Sequence, residues 1–142
     1  MKVCVSACLL GCNCKYNGGN NLNDKVVRFV KGKDVVPVCP EQLGGLPTPR
    51  TPSEIVNGRV TTKDGKEVDA AFRRGALLAA QEAVSAGVEL AILKSRSPSC
   101  GAKQIYDGTF TGTLVDGKGV FAQALAERGI PIIDEADDSL LV

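Results

Sequence analysis

Leu90-Ala-Ile-Leu-Lys-Ser-Arg-Ser-Pro-Ser-Cys-Gly101 opens within a short apolar run, Val88 to Leu93, and then turns into a polar loop presenting Ser97, Ser99 and Cys100 before Gly101. A run of that length and composition reads as a fully buried strand. Two other strand-like runs end the same way. Lys2-Val-Cys-Val-Ser-Ala7 leads to Cys8, and Asp34-Val-Val-Pro-Val38 leads to Cys39, Pro40 and Glu41. In open α/β sheets ligands bind in the crevice outside the carboxyl ends of the strands. Three strands that each hand a thiol to that edge therefore predict a site there.

Working outward, the segments between these strands read as helices. Asn23 is placed to cap a helix over Asp24 to Val30, which Lys31-Gly-Lys33 ends. Val68 to Ala86 keeps apolar or small residues on one face (Val68, Ala71, Phe72, Gly75, Leu78, Ala79, Ala83, Ala86), and Gly87 stops it. Gly119 to Arg128 predicts a further helix, followed by a fourth strand, Ile130 to Asp134. Glu54 to Thr62, with Asn57-Gly58 at its centre, reads as a small hairpin. Tyr106 to Val115 is strand- or hairpin-like between the Asp-Gly pairs at 107–108 and 116–117, and Asp137 to Val142 reads as a short tail with helical character. Strands alternating with helices predict an α/β domain over residues 1–142, with a mostly parallel sheet covered by helices and small β-hairpin insertions. Neighbouring strands stand about 4.8 Å apart, so thiols at adjacent strand ends can converge on one centre.

Two glycine- or proline-rich stretches lie outside this pattern. Cys8 to Asn21 is a Gly/Asn-rich loop, and Cys39 to Pro52 holds four prolines and two glycines in fourteen residues. The second is expected to be an ordered, irregular loop without regular secondary structure.

Composition narrows the chemistry. The chain has 142 residues, 44% apolar and 23% charged, with a net charge of +1 and no basic patch to grip a long nucleic acid. No apolar run approaches the ~20 residues of a membrane span, and the amino terminus lacks the apolar core of a signal peptide. These features predict a cytoplasmic protein. In that setting six cysteines (Cys4, Cys8, Cys12, Cys14, Cys39, Cys100) point to metal binding or catalysis rather than disulfides. Cys4, in mid-strand, reads as a small core hydrophobe. There is no histidine, which excludes Ser-His and Cys-His catalysis and every zinc site that needs an imidazole.

Several thiolates without histidine suit a soft metal or an iron–sulfur cluster. A Cys₄ zinc site with Cys12 or Cys14 as fourth ligand is the alternative. It would make the chain a non-catalytic metal-binding protein, zinc or closed cluster. A thiol redox enzyme using Cys12/Cys14 or Cys8/Cys100 is a further competitor. The wide spacing of the strand-end thiols favours a cofactor that bridges strands over a compact zinc knuckle.

Three motifs carry a family resemblance. Ser6-Ala-Cys-Leu-Leu-Gly11, Val38-Cys-Pro-Glu41 with Gly44-Gly-Leu-Pro-Thr-Pro-Arg50, and Ser97-Pro-Ser-Cys-Gly101 together resemble the thiouracil desulfurase family over essentially the whole chain. The family commonly continues its first loop with Arg-Tyr-Asp-Gly, where this chain has Lys15-Tyr-Asn-Gly18. The resemblance implies a [4Fe-4S] cluster on Cys8, Cys39 and Cys100, with an open iron, and Glu41 and Ser97 as catalytic residues beside it. The implied activity is a non-redox, hydrolytic C–S cleavage that takes sulfur from a thiouracil- or thiouridine-type pyrimidine as hydrosulfide. The expected partner is a small thiolated nucleobase or nucleotide, with no membrane or long nucleic acid. Ser6, Arg50 and Arg96 are candidate substrate contacts. Cys12 and Cys14 leave a question, since either one at the fourth iron would close it.

Overall fold

The computed structural model describes residues 1–141; Val142, the end of the expected tail, lies outside them. Four strands form one parallel sheet: β1 (Lys2–Ser6), β2 (Asp34–Val38), β5 (Leu90–Leu93) and β8 (Ile132–Asp134), in the order β2-β1-β5-β8. The helices between them are α1 (Asp24–Val30), α3 (Asp69–Ala86) and α4 (Val120–Glu127). Two antiparallel hairpins stand apart from the sheet: β3 (Ser53–Val56) with β4 (Arg59–Thr62), and β6 (Gln104–Tyr106) with β7 (Leu114–Asp116). The expected parallel α/β sheet with small hairpin insertions is the observed architecture.

Alternation along β1 explains the two-sided core. Val3 and Val5 face one way, with Val26 and Val30 of α1, Ile92 and Leu140. Cys4 faces the other way, with Ala76, Ala79, Ala80 and Ala83 of α3 and Phe121 and Leu125 of α4. Cys4 is fully buried, and burial pushes its thiol up to about 12, as suits a core residue. The alanine face of α3 lets this long helix lie close to the sheet.

Local signals set the element ends. The Asn23 side chain accepts hydrogen bonds from the backbone N–H groups of Lys25 and Val26. Gly87 closes α3 with a left-handed φ of 75°. Asn57 and Gly58, at φ 49° and 79°, make the tight turn of the first hairpin. Several boundaries are shorter than the periodicity predicts. Val88 still hydrogen-bonds back to Ala83 as part of the helix ending, so β5 begins at Leu90.

One expectation fails. The proline-rich segment is not wholly irregular, because Pro40–Leu43 forms a short helix, α2, with Cys39 at its N-cap position. Proline at the first helical position is compatible with a helix start, since its missing N–H has no partner there. The turn is held against α3 by backbone contact: a Cβ on Gly75 would stand 1.7 Å from the Pro40 carbonyl oxygen, and one on Gly44 would stand 2.0 Å from that of Ala71. Only two glycines permit that approach.

The strand order places the site. From β1 the chain crosses α1 to β2 on one side, then returns by α3 to β5 on the other side of β1. The direction of winding thus reverses between β1 and β5, and the crevice opens beyond their carboxyl ends.

Candidate active site

A cavity of about 420 Å³ lies at that reversal point, and Cys8, Cys39 and Cys100 all border it. Each thiol is delivered differently. Cys8 sits in a 3-10 turn, Ala7–Leu10, that continues directly from β1 and ends at Gly11, where φ is 95°. Its carbonyl accepts from the N–H of Asn21, which ties the far end of the Gly/Asn loop to the site. Cys39 leaves β2 at the N-cap of α2. Cys100 is presented by a tight turn after β5, in which the Ser97 hydroxyl accepts from the N–H groups of Ser99 (3.1 Å) and Cys100 (3.0 Å). Gly101 completes the turn, since a Cβ there would lie 2.8 Å from the Ser97 carbonyl oxygen.

The turn is fixed to the sheet on both sides. Ser6, 2% exposed, accepts from the Lys94 N–H at 3.0 Å and so joins the ends of β1 and β5. Glu135, just past β8, accepts from the Ser95 N–H (2.8 Å), the Ser95 hydroxyl (2.9 Å) and Lys94 Nζ (3.1 Å). Burial pushes the Glu135 carboxyl up, but these hydrogen bonds and the Lys94 charge outweigh it and hold it below the usual range.

The thiols are electrostatically unlike one another. Burial raises Cys8 and Cys100 above the ordinary thiol value. Cys39 is lowered to about 7, first by the neighbouring Cys14 thiol, and its Sγ lies 3.9 Å from the Cys14 carbonyl oxygen, to which it can donate; Cys14 is pushed up, first by Cys39 beside it and then by burial. Ligands must be deprotonated to bind metal, so loading this site releases protons. Among the described residues, no three ligating side chains meet closely enough to hold a single metal ion. The three thiols border a cavity instead of converging on a point, which fits the donor set of a larger, thiolate-bound cluster better than mononuclear zinc.

Glu41 faces the same cavity from α2. Its Oε1 accepts from Arg50 Nε at 2.9 Å, and its Oε2 from Ser99 Oγ at 2.8 Å. Ser99 Oγ also lies 2.9 Å from Ser97 Oγ. With both oxygen lone pairs of Ser97 occupied by backbone N–H groups, its proton points to Ser99, whose own proton points to Glu41. A directed chain, Ser97 to Ser99 to Glu41, therefore runs along the wall, with Ser99 only 1% exposed.

Arg50, expected as a substrate contact, borders the cavity and also carries a structural load. Besides Glu41 it donates to the carbonyl of Cys14 (2.8 Å), the carbonyl of Pro47 (3.2 Å) and the hydroxyl of Thr48 (2.8 Å). It braces the proline-rich loop against the first loop. Arg96 borders the cavity with an exposed side chain on a left-handed backbone, φ 67°. Cys14 is buried on the cavity wall, whereas Cys12 is exposed and borders a separate cavity of about 550 Å³ on the far side of Cys39. The linking role of Ser99 and the Lys94–Glu135 anchor escape sequence reasoning. The only signal for Ser99 is its place between Ser97 and Cys100.

Known proteins resemble this chain over most of its length. The family model described as 2-thiouracil desulfurase matches residues 3–137. An uncharacterized protein of Bacillus subtilis (strain 168), YbbK, is 38% identical over 143 residues, covering 94% of this chain and 95% of the relative. The solved structure of a [4Fe-4S]-dependent thiouracil desulfidase, TudS, superposes with a TM-score of 0.88 at 39% identity, covering 94% of this chain and 90% of that one.

Proposed function

The chain belongs to the 2-thiouracil desulfurase family, and from that membership and the cavity at the β1/β5 reversal we propose that it is a [4Fe-4S]-dependent enzyme that removes sulfur from thiouracil-type pyrimidines as hydrosulfide. The carrying observation is the set of three strand-end thiols around one cavity with a hydrogen-bonded carboxylate on its wall. Cys8, Cys39 and Cys100 would hold the cluster. A cluster held by these three thiolates alone would keep one iron free of protein ligands, and it would supply a soft Lewis acid for a thiocarbonyl sulfur.

The remaining work falls to side chains. Net exchange of C=S and water for C=O and hydrosulfide changes no oxidation state, so a proton must be taken from water and delivered elsewhere. Glu41 receives it on its carboxylate, which Arg50 Nε orients at 2.9 Å. The chain through Ser99 to Ser97 lets the hydroxyl protons reorganise as the carboxyl gains and loses its own. The walls around Glu41 are largely closed to solvent, with side-chain exposures of 16% for Glu41 and 9% for Arg50, so water is limited to the reacting face.

Free base, nucleoside and nucleotide forms of the thiolated pyrimidine all fall within the proposal. Among the described residues no helix is long and apolar enough to cross a membrane. The reducing cytoplasm, where six free thiols persist, is the proposed location.

The test is anaerobic purification with iron, sulfide and zinc analysis, then hydrosulfide release from 2-thiouracil. About four irons and four sulfides per chain, with turnover, is the expected result. Stoichiometric zinc without iron after anaerobic reconstitution would refute it and return the chain to a non-catalytic metal-binding role.

A further inference from the structure

We propose that Glu54 is a specificity-determining residue of the site, its free carboxylate oxygen accepting from the ring N–H beside the thiocarbonyl of a uracil-type substrate. The inference rests on the desulfurase reading of the cavity.

Two carboxylates among the described residues border the cavity, Glu41 and Glu54, and the fold uses them differently. Both oxygens of Glu41 have partners, Arg50 and Ser99. Glu54, half-buried on β3, is held through one oxygen only. Its Oε1 accepts from the N–H groups of Gly108 (3.0 Å) and Phe110 (3.1 Å), in the turn of the second hairpin. Its Oε2 has no partner among the described residues. None of those residues leaves a buried side-chain oxygen unpaired, so this oxygen is open. The two N–H groups fix the orientation of the carboxylate, and the turn that supplies them is itself fixed. A Cβ on Gly108 would lie 2.6 Å from the Ile55 carbonyl oxygen, and Ile105 of the same hairpin is bridged to Arg96, on the loop that leads to Cys100. Oε2 is thus an acceptor held in place at the site. Tyr106, two residues before Gly108, adds an aromatic surface to the same cavity.

A carboxylate only accepts hydrogen bonds. In a uracil-type ring thiolated at carbon 4, the thiocarbonyl is flanked by a ring N–H on one side and a C–H on the other. An acceptor beside the thiocarbonyl complements that N–H, and it repels the lone pair that a cytosine-type ring carries at the same position. A site built to read a substrate N–H rejects the analogue lacking it, because the protein acceptor is then left unpaired. Glu54 therefore selects the uracil pattern, while Glu41, with both oxygens engaged, is left to the proton.

The experiment uses anaerobically loaded protein and reads kcat and KM for hydrosulfide release from 4-thiouracil and from 3-methyl-4-thiouracil, which lacks the N–H. A thermal melt accompanies each variant. Glu54→Gln is the decisive change. The Gly108 and Phe110 N–H groups hold its amide oxygen at the Oε1 position, which leaves the NH₂ at the Oε2 position, a donor set against a donor. The hairpin stays latched and the melt parent-like, while KM for 4-thiouracil rises and kcat/KM falls about 10–100-fold, the loss expected for a hydrogen bond to a charged group. The parent's preference for 4-thiouracil over its methyl analogue shrinks by the same factor, because any clash of the methyl group is common to both proteins and cancels in the comparison. A Gln variant with parent-like kcat/KM would overturn the proposal. Equal losses on both substrates would also overturn it, leaving Glu54 as a latch alone. An iron-loaded parent inert to 2- and 4-thiouracil fails at the earlier step, removing the desulfurase reading and this inference with it.

Discussion

Replacing Gly75 with alanine sets helix propensity against packing. Alanine is favoured over glycine in a helix interior by about 1 kcal/mol, and Gly75 lies well inside α3, so propensity alone predicts a stabilised protein. Packing predicts the reverse. The added Cβ would stand 1.7 Å from the Pro40 carbonyl oxygen, 2.8 Å from the Pro40 carbonyl carbon and 2.9 Å from the Gly44 nitrogen. All three are backbone atoms, so no rotamer change relieves the clash. Because ordinary contact begins near 3.4 Å, α2 must retreat by about 1.5 Å or α3 must bend.

Such overpacking costs about 1–3 kcal/mol, and more when only backbone can yield. Set against the propensity gain, the net loss reaches about 2 kcal/mol when only backbone yields, a fall of about 4–8 °C in Tm for a chain of this size. The functional effect is larger. The retreating helix carries Cys39 at its cap and Glu41 in its first turn, and a shift of this size breaks the 2.8 Å contact between Ser99 and Glu41. A misplacement of ~1 Å at a reacting group costs about 100-fold in rate. Thermal melts and hydrosulfide release measured on anaerobic protein test both numbers, with Ser85→Ala on the exposed face of α3 as a propensity control. A Gly75→Ala variant that melts at or above the parent and turns over normally would refute the close-approach argument and the placement of Glu41 that rests on it.

Three further outcomes are expected. Glu41→Gln should lower turnover by about 10²–10⁴-fold while leaving the visible spectrum of the cluster intact, since the change removes a proton carrier and no ligand; wild-type turnover would remove Glu41 from the mechanism. Ser99→Ala should leave the Glu41 and Ser97 oxygens without their shared partner, costing about 1–3 kcal/mol in urea denaturation and slowing hydrosulfide release with iron content unchanged; unchanged kinetics would show that the hydroxyl chain is idle. Glu135 has a folded pKa below its unfolded value, so its contribution to stability is complete above the ordinary glutamate pKa of about 4.3 and is lost as pH falls through the lower folded value. Glu135→Gln should accordingly weaken folding at neutral pH and flatten the acid limb of stability against pH, measured by urea denaturation at stepped pH; an acid limb as steep as the parent's would remove Glu135 as its source.

The elements most legible in the sequence are those whose signals are local. Asn23 before Asp24, Gly87 after Ala86 and Asn57-Gly58 between β-prone runs each mark an end through a contact made within a few residues. The strand-end thiols are legible for a related reason. A parallel sheet sends the carboxyl ends of its strands to one edge, so a cysteine immediately after each strand reaches that edge without further information. The four-residue helix α2 escapes sequence reasoning because it is too short for a periodic pattern and lies among prolines that otherwise signal irregular chain.

What the sequence withholds is the pairing of side chains that are distant along the chain. Glu41 and Ser99 are 58 residues apart and Ser95 and Glu135 are 40, and no spacing rule connects either pair. Their contacts follow from the strand order: β1 and β5 lie side by side at the reversal, β8 flanks β5, and the turns beyond those strands must meet. Arg50 carries the same lesson in reverse. A cation in a loop beside a presumed site invites assignment to substrate, yet within the fold it faces a carboxylate and three other backbone or hydroxyl acceptors. A guanidinium with 9% side-chain exposure needs those partners, because burial without them would cost more than a substrate contact could return. The placement of Glu41 thus depends on two constraints outside any catalytic motif: the Gly44–Gly75 approach that seats α2, and the Arg50 fork that orients the carboxylate. Variants at these positions should move catalysis by displacing the carboxylate.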